Sequence, residues 1–337
     1  MKIAILTPTY FSYSGIDQEV LQQAKEFIEA KQEVKIFTLA ASIKENNIPT
    51  EIIGMPKKLF WQRVYRLFFF LDIKKIITTV RKLKNYEVIY SHLYPMNILA
   101  RLAQKRYGKK YIYYNNGVPP SSIFPQFIEK IYITVFRFLN NFSAKKADKI
   151  ISISHYLNEV FKKENNRSGD VMHCQINKQR FLNLDSEIIR KKYNINKDPL
   201  ILYIGRISPH KGVHLLIKSF LLLLKDIPNA KLLIVGKHTF SKYSEQLKAL
   251  SNSSIIFTGF VADKDLANYY AACDIYASAS LWEGFNLPII EAQYCHKPVV
   301  VFNIGPHPEL VNKRGYLVPA GDTKQFAEAL KKILRCK

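Results

Sequence analysis

The sequence predicts an α/β protein with two parallel, doubly wound sheets, because short apolar segments alternate with helical segments along the 337-residue chain. This length favours two domains, each with its own core. The Lys-rich, weakly periodic segment 186–198 is the predicted boundary, so the chain divides into residues 1–190 and 191–337. In order, the predicted strands are residues 2–7, 34–39, 88–92, 150–154, 200–204, 232–235, 255–258, 275–277 and 299–302.

Most predicted strands are continuous apolar runs, as expected for strands buried on both faces of a parallel sheet. The first ends before Pro8, and residues 200–204 run directly into Gly205. Two of the helices between and after the strands are marked by their termini. One should start at about Pro288, because proline suits the first helical position. Another should span about residues 323–334.

Composition fits a large globular enzyme, with 48% hydrophobic residues and no apolar run of membrane-spanning length. Residues 1–7 contain one Lys and a short apolar core without a cleavage site, which favours a first strand over a signal peptide. The four cysteines lie far apart without paired spacing: Cys174, Cys273, Cys295 and Cys336. That pattern favours reduced thiols and a cytoplasmic location.

The formal net charge is +23, and residues 1–199 hold 33 Lys and Arg against 17 Asp and Glu. Segment 57–84 mixes cations with aromatic and aliphatic residues. It fits either a surface that lies on an anionic membrane or ordinary core-facing helices with solvated lysines. The second aromatic segment, 124–142, would suit a lipid-linked acceptor. A peripheral position on the inner face of the plasma membrane is therefore one of the two interpretations of these segments.

Segment 283–292 is the most informative part of the chain, since it places Glu283 and Glu291 around a glycine and a helix start. The free amides of a helix N-terminus favour a phosphate, and Gly284 lets the backbone approach one. Carboxylates beside a phosphate would be repelled by it, so their natural partners are hydroxyl groups. The pattern predicts a site for a phosphate and a polyol.

A second segment supplies positive charge, because the strand 200–204 leads into a loop that carries Arg206 and Lys211. Arginine offers a planar fork for phosphate oxygens, and lysine adds a point charge. Together the two cations are suited to holding a diphosphate. The acidic pair Asp263 and Asp265 has a metal-site spacing, but it precedes an apolar helix, so we expect no metal.

These segments resemble the nucleotide-sugar domain of the family 4 glycosyltransferases, which have the GT-B fold. The family's glycine-arginine and lysine-glycine pattern matches Gly205-Arg206 and Lys211-Gly212, and its two glutamates, with seven residues between them, match Glu283 and Glu291. The resemblance spans most of residues 199–325. It implies two Rossmann-like domains facing across a cleft. The family's further helix, which crosses back onto the first domain, is expected to be missing here.

The first part of the chain resembles the family more faintly. Gly15 is what remains of a glycine pair near the donor phosphate, since Ser14 precedes it. His92 lies where the family often has histidine. Asn116 stands where many members carry a sugar-contacting histidine, and asparagine cannot titrate near neutrality. The resemblance implies acceptor or sugar contacts for His92 and Asn116.

The implied enzyme is a retaining, metal-independent, hexosyltransferase-like glycosyltransferase. It would move a sugar from a nucleotide-diphosphate sugar to a glycan or lipid-linked acceptor in cell-surface polysaccharide synthesis, without a further cofactor and without nucleic acid. Two alternatives stay open: a nucleotide-sugar epimerase of the same fold, and a non-enzymatic basic protein that binds nucleic acid. The implied catalytic residues are Glu283, Arg206 and Lys211, and the implied donor-binding residues are Gly15, Val261, Gly284, Phe285, Asn286, Leu287 and Glu291.

Overall fold

The computed structural model describes residues 1–11, 15–42, 48–124, 126–238 and 240–336. It divides into two compact units, Met1–Gln175 and Ile176–Lys337. The predicted division after residue 190 therefore falls inside the second unit. Arg190 explains the difference, because its guanidinium donates a hydrogen bond to the Ala272 carbonyl and pairs with Asp274, which fixes this segment to the second unit.

The first unit is built on a parallel sheet of seven strands among its described residues, in the order β3-β2-β1-β4-β5-β6-β7. The strands are β1 Lys2–Tyr10, β2 Glu33–Ala41, β3 Thr50–Ile52, β4 Val88–Ser91, β5 Lys110–Asn115, β6 Lys149–Ser152 and β7 Asp170–Val171. The helices are α1 Gly15–Glu29, α2 Leu59–Leu67, α3 Ile73–Leu83, α4 Met96–Tyr107, α5 Phe127–Ala144 and α6 His155–Asn165.

Strand β1 shows why this sheet is covered on both faces. Successive side chains of a strand point to opposite faces. Ile3 and Ile5 pack in one core cluster with Val20 of α1. Ala4 and Leu6 belong to another cluster, which includes residues of α3, α4 and β5. Helices thus lie on both faces, as in a doubly wound fold.

The second unit has a six-stranded parallel sheet among its described residues, in the order β10-β9-β8-β11-β12-β13. The strands are β8 Leu200–Ile204, β9 Lys231–Val235, β10 Ile255–Gly259, β11 Ile275–Ser278, β12 Val299–Phe302 and β13 Tyr316–Val318. The helices are α7 Ser186–Lys192, α8 Val213–Leu223, α9 Ser241–Leu250, α10 Leu266–Ala272, α11 Leu287–Tyr294, α12 His307–Leu310 and α13 Thr323–Arg335.

All nine predicted strands are present, which confirms the predicted α/β class with two parallel, doubly wound sheets. Helix α11 begins one residue before Pro288, so the predicted helix start is also confirmed. No helix in the described part of the chain combines the length and the apolar character needed to cross a bilayer.

Candidate functional site

The strand order of the second sheet reverses between β8 and β11, which are neighbours although three helices and two strands separate them in sequence. Loops beyond the carboxyl ends of such strands form the usual ligand site of an open parallel sheet. The predicted cationic loop, residues 205–212, follows β8, and the segment that contains Glu283 follows β11. The topology therefore brings the two predicted segments to one edge of the sheet.

Glycines shape the loop after β8. Gly212 has a φ of +61°, and a Cβ atom there would lie 1.8 Å from the carbonyl oxygen of Ala279. Because any side chain would clash with this backbone, position 212 requires glycine. The close approach fixes the cationic loop against the loop after β11, where the Leu281 amide donates to the His210 carbonyl at 2.8 Å.

A largely buried ion pair joins these two loops. The Lys211 Nζ donates to both carboxylate oxygens of Glu283, at 2.8 and 2.6 Å, and the Ser280 hydroxyl adds a bond of 2.8 Å. Glu283 is buried and the Lys211 side chain is 18% exposed. Burial raises the pKa of Glu283, but the Lys211 ammonium outweighs it and brings the pKa below its usual value.

The segment before helix α11 adopts an unusual backbone. Asn286 has a φ of +91°, and its side chain lies 2.9 Å from Nε2 of the buried His307. The other ring nitrogen of His307 contacts the Phe302 carbonyl at 2.6 Å. Phe285 is buried as well. The His307 ring therefore holds the Asn286 side chain in place, and the Asn286 carbonyl accepts the Ile289 amide of the first helical turn at 3.0 Å.

Glu291 lies one turn into α11, as predicted from its spacing, and it is buried. Its carboxylate accepts a hydrogen bond of 2.9 Å from Arg180 and one of 2.6 Å from the Tyr270 hydroxyl. Burial raises the pKa of Glu291 above its usual value, although Arg180 and Tyr270 partly offset this effect. Arg180 also donates to the carbonyl of Asp263 at 3.1 Å and pairs with its carboxylate at 3.0 Å.

Neither Arg180 nor Tyr270 was predicted from the sequence. Arg180 is 111 residues from Glu291, so no local motif could have paired them. Val261, predicted to contact the base, is half-buried in the loop that precedes Asp263. Arg180 therefore links the loop that contains Val261 and Asp263 to Glu291.

The two carboxylates act on a common neighbour. The buried hydroxyl of Tyr276 has its pKa raised by burial and by the negative charges of both Glu283 and Glu291. Arg206 is exposed and pairs with no carboxylate among the described residues. It lies close enough to His210 that burial, together with the charges of Lys211 and Arg206, lowers the pKa of that imidazole to about 3.

The first unit brings two predicted residues into direct contact. His92 follows β4 and Asn116 follows β5, and the His92 Nδ1 lies 2.9 Å from the Asn116 Oδ1. The Asn116 Nδ2 donates to Glu19 at 2.6 Å, and His92 Nε2 lies 3.0 Å from the Gln23 Oε1. The Glu19 carboxylate orients Asn116 so that its amide oxygen faces His92, and both ring nitrogens of the histidine therefore contact amide oxygens.

Burial sets the titration of this group. It lowers the pKa of His92 to about 4 and raises the pKa of Glu19 to about 7. Glu19 and Gln23, which reach the site from α1, were not predicted from the sequence. Gly15 begins that helix and is exposed. Ser14, which replaces the first glycine of the family pair, lies outside the described residues.

The second unit thus combines a loop that carries Arg206 and Lys211, a close backbone contact at Gly212 and two buried carboxylates. Lysine has three N–H donors, and two of them contact Glu283, so an incoming anion could accept the third. The carboxylates can accept hydrogen bonds from hydroxyl groups. Such an arrangement suits a ligand that carries both phosphate and hydroxyl groups.

Two protein-family models match the chain. The model described as Glycosyl transferases group 1 covers residues 185–337, and the model described as Glycosyltransferase Family 4 covers residues 13–176. Among curated proteins, the chain is similar to the capsular polysaccharide biosynthesis glycosyltransferase CapM of Staphylococcus aureus, with 31% identity over 158 residues. That match covers 45% of this chain and 41% of CapM. Spore coat protein SA of Bacillus subtilis is 26% identical over 160 residues, or 44% of this chain and 42% of that protein.

These aligned segments span less than half of each relative's length. Solved structures match nearly the whole chain. The structure of Anabaena Alr3699/HepE in complex with UDP-glucose has a TM-score of 0.83 at 21% identity, covering 100% of this chain and 90% of that one. WaaG, described as a glycosyltransferase involved in lipopolysaccharide biosynthesis, has a TM-score of 0.79 at 16% identity over 99% of this chain and 90% of its own.

The structural likeness identifies the α/β two-domain fold, and the family models extend over both units. The chain belongs to the GT-B glycosyltransferases, with a first unit of Glycosyltransferase Family 4 and a second unit of Glycosyl transferases group 1.

Proposed function

We propose that the chain is a retaining, metal-independent glycosyltransferase that moves a hexose from a nucleotide-diphosphate sugar to a glycan or lipid-linked acceptor. The observation that carries the proposal is the Lys211–Glu283 pair at the strand-order switch of the second unit. In this proposal, Lys211 would bind the phosphate and the adjacent Glu283 would bind a hydroxyl group. Similarity to CapM, a capsular polysaccharide biosynthesis glycosyltransferase, and to HepE, solved in complex with UDP-glucose, supports cell-surface polysaccharide synthesis and a UDP-sugar donor.

The proposed donor site uses the observed contacts. Glu291 would hold the ribose diol and the Val261 loop the base, while Arg206, Lys211 and the amides of residues 284–287 would hold the diphosphate. Glu283 would contact a sugar hydroxyl. Negative charge grows on the diphosphate as the glycosidic bond breaks, and fixed cations and amides facing that charge lower the barrier.

The proposed acceptor side lies in the first unit. His92 and Asn116 are already hydrogen-bonded to each other, so they would present a preorganised edge to an acceptor or to the transferred sugar. Gly15 would let the chain approach the donor phosphate. The proposal includes a cytoplasmic position, peripheral on the inner face of the plasma membrane, because lipid-linked acceptors are reached there.

The test begins with thermal-shift screening of the full chain against a panel of nucleotide-diphosphate sugars, since a ligand that binds the folded state raises the melting temperature. Transfer of labelled sugar to a lipid-linked glycan extract is then measured with and without EDTA. The product's anomeric configuration is read by NMR. Retained configuration and EDTA-resistant transfer are expected. Inverted configuration, loss of transfer in EDTA, or interconversion of the donor without acceptor would each contradict the proposal.

A matched pair of variants ties this activity to the site. Lys211→Ala should lower turnover about a hundredfold or more, because it removes charge stabilisation where the leaving diphosphate develops. Lys178→Met removes an exposed lysine two residues from Arg180 and should leave turnover unchanged. Near-normal turnover in Lys211→Ala would contradict the assignment.

A further inference from the structure

Helix α5 presents its apolar side chains to the outside. Its inward side carries polar residues: Asn140 is buried and accepts hydrogen bonds from the Tyr94 amide and the Asn97 side chain. Its outward side chains recur every three or four residues, which places them on one stripe of a helix. Five of them are exposed by 40–81%: Ile128, Ile131, Val135, Phe138 and Phe142.

Helix α2 and the turn that follows it expose apolar residues as well. None of the α2 residues Leu59–Leu67 is buried, although the helix contains six large apolar or aromatic side chains. The next turn buries Phe69 alone among its three residues. The exposed side chains of α2 and this turn are Leu59, Phe60, Trp61, Phe68, Phe70 and Leu71, and Ile73 and Ile77 are exposed on the adjoining α3.

The two helices adjoin each other. Arg63 on α2 pairs with Glu129 on α5 at 3.5 Å. Burial raises the pKa of Tyr132 on α5, and the positive charges of Arg66 and Arg63 on α2 partly offset this rise. We therefore treat α2, residues 68–73 and α5 as one surface, here called the apolar face. Contiguous apolar patches of this kind mark interaction sites on otherwise globular proteins.

Charge limits what can cover the apolar face. Residues 57–84 contain nine Lys or Arg and a single acidic residue, Asp72. Lys57, Lys58, Lys74 and Lys130 are exposed, and in the described ranges none of them pairs with a carboxylate. The partner must therefore offer both an apolar interior that side chains can enter and a negatively charged surface.

We propose that the apolar face docks on the surface of an anionic lipid bilayer. Aromatic and aliphatic side chains would enter the boundary between headgroups and acyl chains, and the lysines would contact anionic headgroups. A second copy of the chain is disfavoured, because it would bring two cationic segments together. Nucleic acid is disfavoured because its protein interfaces are polar, whereas this face exposes leucine, isoleucine and valine.

This inference names the surface behind the proposed peripheral location, but its test needs neither donor nor acceptor. Vesicle binding can therefore fail while sugar transfer succeeds, and the reverse. A control face is also available: α1 packs against the opposite side of the first sheet, in a different core cluster from α3 and α4. Ile28 on α1 is 42% exposed and Lys25 is exposed.

The experiment is flotation of the full chain with vesicles of phosphatidylcholine alone or of phosphatidylcholine mixed with phosphatidylglycerol. Binding to the mixed vesicles only, decreasing as salt rises, is expected. Phe60→Ser/Trp61→Ser and Ile131→Ser/Phe138→Ser should each weaken that binding about tenfold or more, since burial of one large apolar side chain contributes at least this much. Ile28→Ser should bind as the wild type does.

Two charge-reversal variants test the role of the lysines. Lys58→Glu should reduce binding to anionic vesicles, whereas Lys25→Glu should reduce it much less. Melting temperatures close to wild type are expected for all variants, because every substituted side chain is exposed. Absence of vesicle binding, equal binding by all variants, or a concentration-dependent dimer abolished by Phe60→Ser/Trp61→Ser would each overturn the proposal.

Discussion

Each buried carboxylate of the second unit is matched with one cation, and the pairing decides how that carboxylate titrates. Lys211 brings the pKa of Glu283 below its usual value, whereas burial keeps the pKa of Glu291 above it despite Arg180. Arg180 therefore favours the ionised form of Glu291, in opposition to burial. An ionised Glu291 can accept hydrogen bonds from both hydroxyls of a ribose, which a protonated one cannot do equally well.

Arg180→Met should raise the pKa of Glu291 further, because the nearest positive charge is lost. The donor KM should then rise as pH falls, starting at a higher pH than in the wild type, while kcat changes little. Donor KM measured across pH checks this expectation, with Lys178→Met as the control. A uniform fall in kcat with an unchanged pH profile of KM would contradict it.

Glu19 gives a pH prediction for the first unit. Burial raises its pKa from 4.5 to about 7, so its ionised form is less favourable in the folded state than in the unfolded state. The associated stability is present below about pH 4.5 and is lost as pH rises through about 7. Glu19→Gln should abolish this dependence, so the free energy of unfolding of the wild type should fall relative to the variant across that range.

Urea unfolding of the wild type and Glu19→Gln at several pH values measures this difference. Glu159→Gln is the matched control, because it makes the same exchange at an exposed position on α6 of the same unit. Its pH dependence should stay that of the wild type. Parallel pH curves for the wild type and Glu19→Gln would show that Glu19 titrates normally.

At the scale of elements, the loop that joins β8 to α8 is fixed by its glycine. Alanine in a left-handed conformation usually costs about 1–2 kcal/mol of stability. Gly212→Ala should cost more than this, because its Cβ atom would also clash with the Ala279 carbonyl. Lys211 should shift with the loop, and turnover should fall.

Gly321→Ala is the matched control, since Gly321 has a φ of +84° and a Cβ atom added there would have no neighbouring atom within 4 Å. The substitution should cost only the strain of the left-handed backbone and leave turnover unchanged. Melting temperature and turnover of both variants give the comparison. Equal losses in both would show that the contact with Ala279 is unimportant.

Elements were predictable where local chemistry decides them. The buried strand 200–204 and the helix at Pro288 follow from apolar runs and proline geometry. Strand β5, Lys110–Asn115, was not among the predicted strands, and the two-residue strand β7 has too few residues for a pattern. The site was predictable as two segments but not as pairs. Arg180 with Glu291, and Glu19 with Asn116, join distant parts of the chain through tertiary packing.

At the scale of the whole molecule, the two units should be separable where the structure divides them. Fragment 176–337 retains Arg180 and Arg190, whereas fragment 191–337 leaves Glu291 and Asp274 without these cations. The first fragment should therefore unfold cooperatively at a higher temperature than the second. Calorimetry of both fragments checks this, and equal melting temperatures would instead favour the division after residue 190.

The central claim is that the Lys211–Glu283 centre of the second unit binds the diphosphate and sugar of a nucleotide-diphosphate sugar. Isothermal titration of the wild type, Lys211→Ala and Lys178→Met with a panel of such sugars tests it most directly. At least one sugar nucleotide should bind the wild type and Lys178→Met alike, and about tenfold or more weaker to Lys211→Ala. Binding of equal strength to all three proteins would contradict the account.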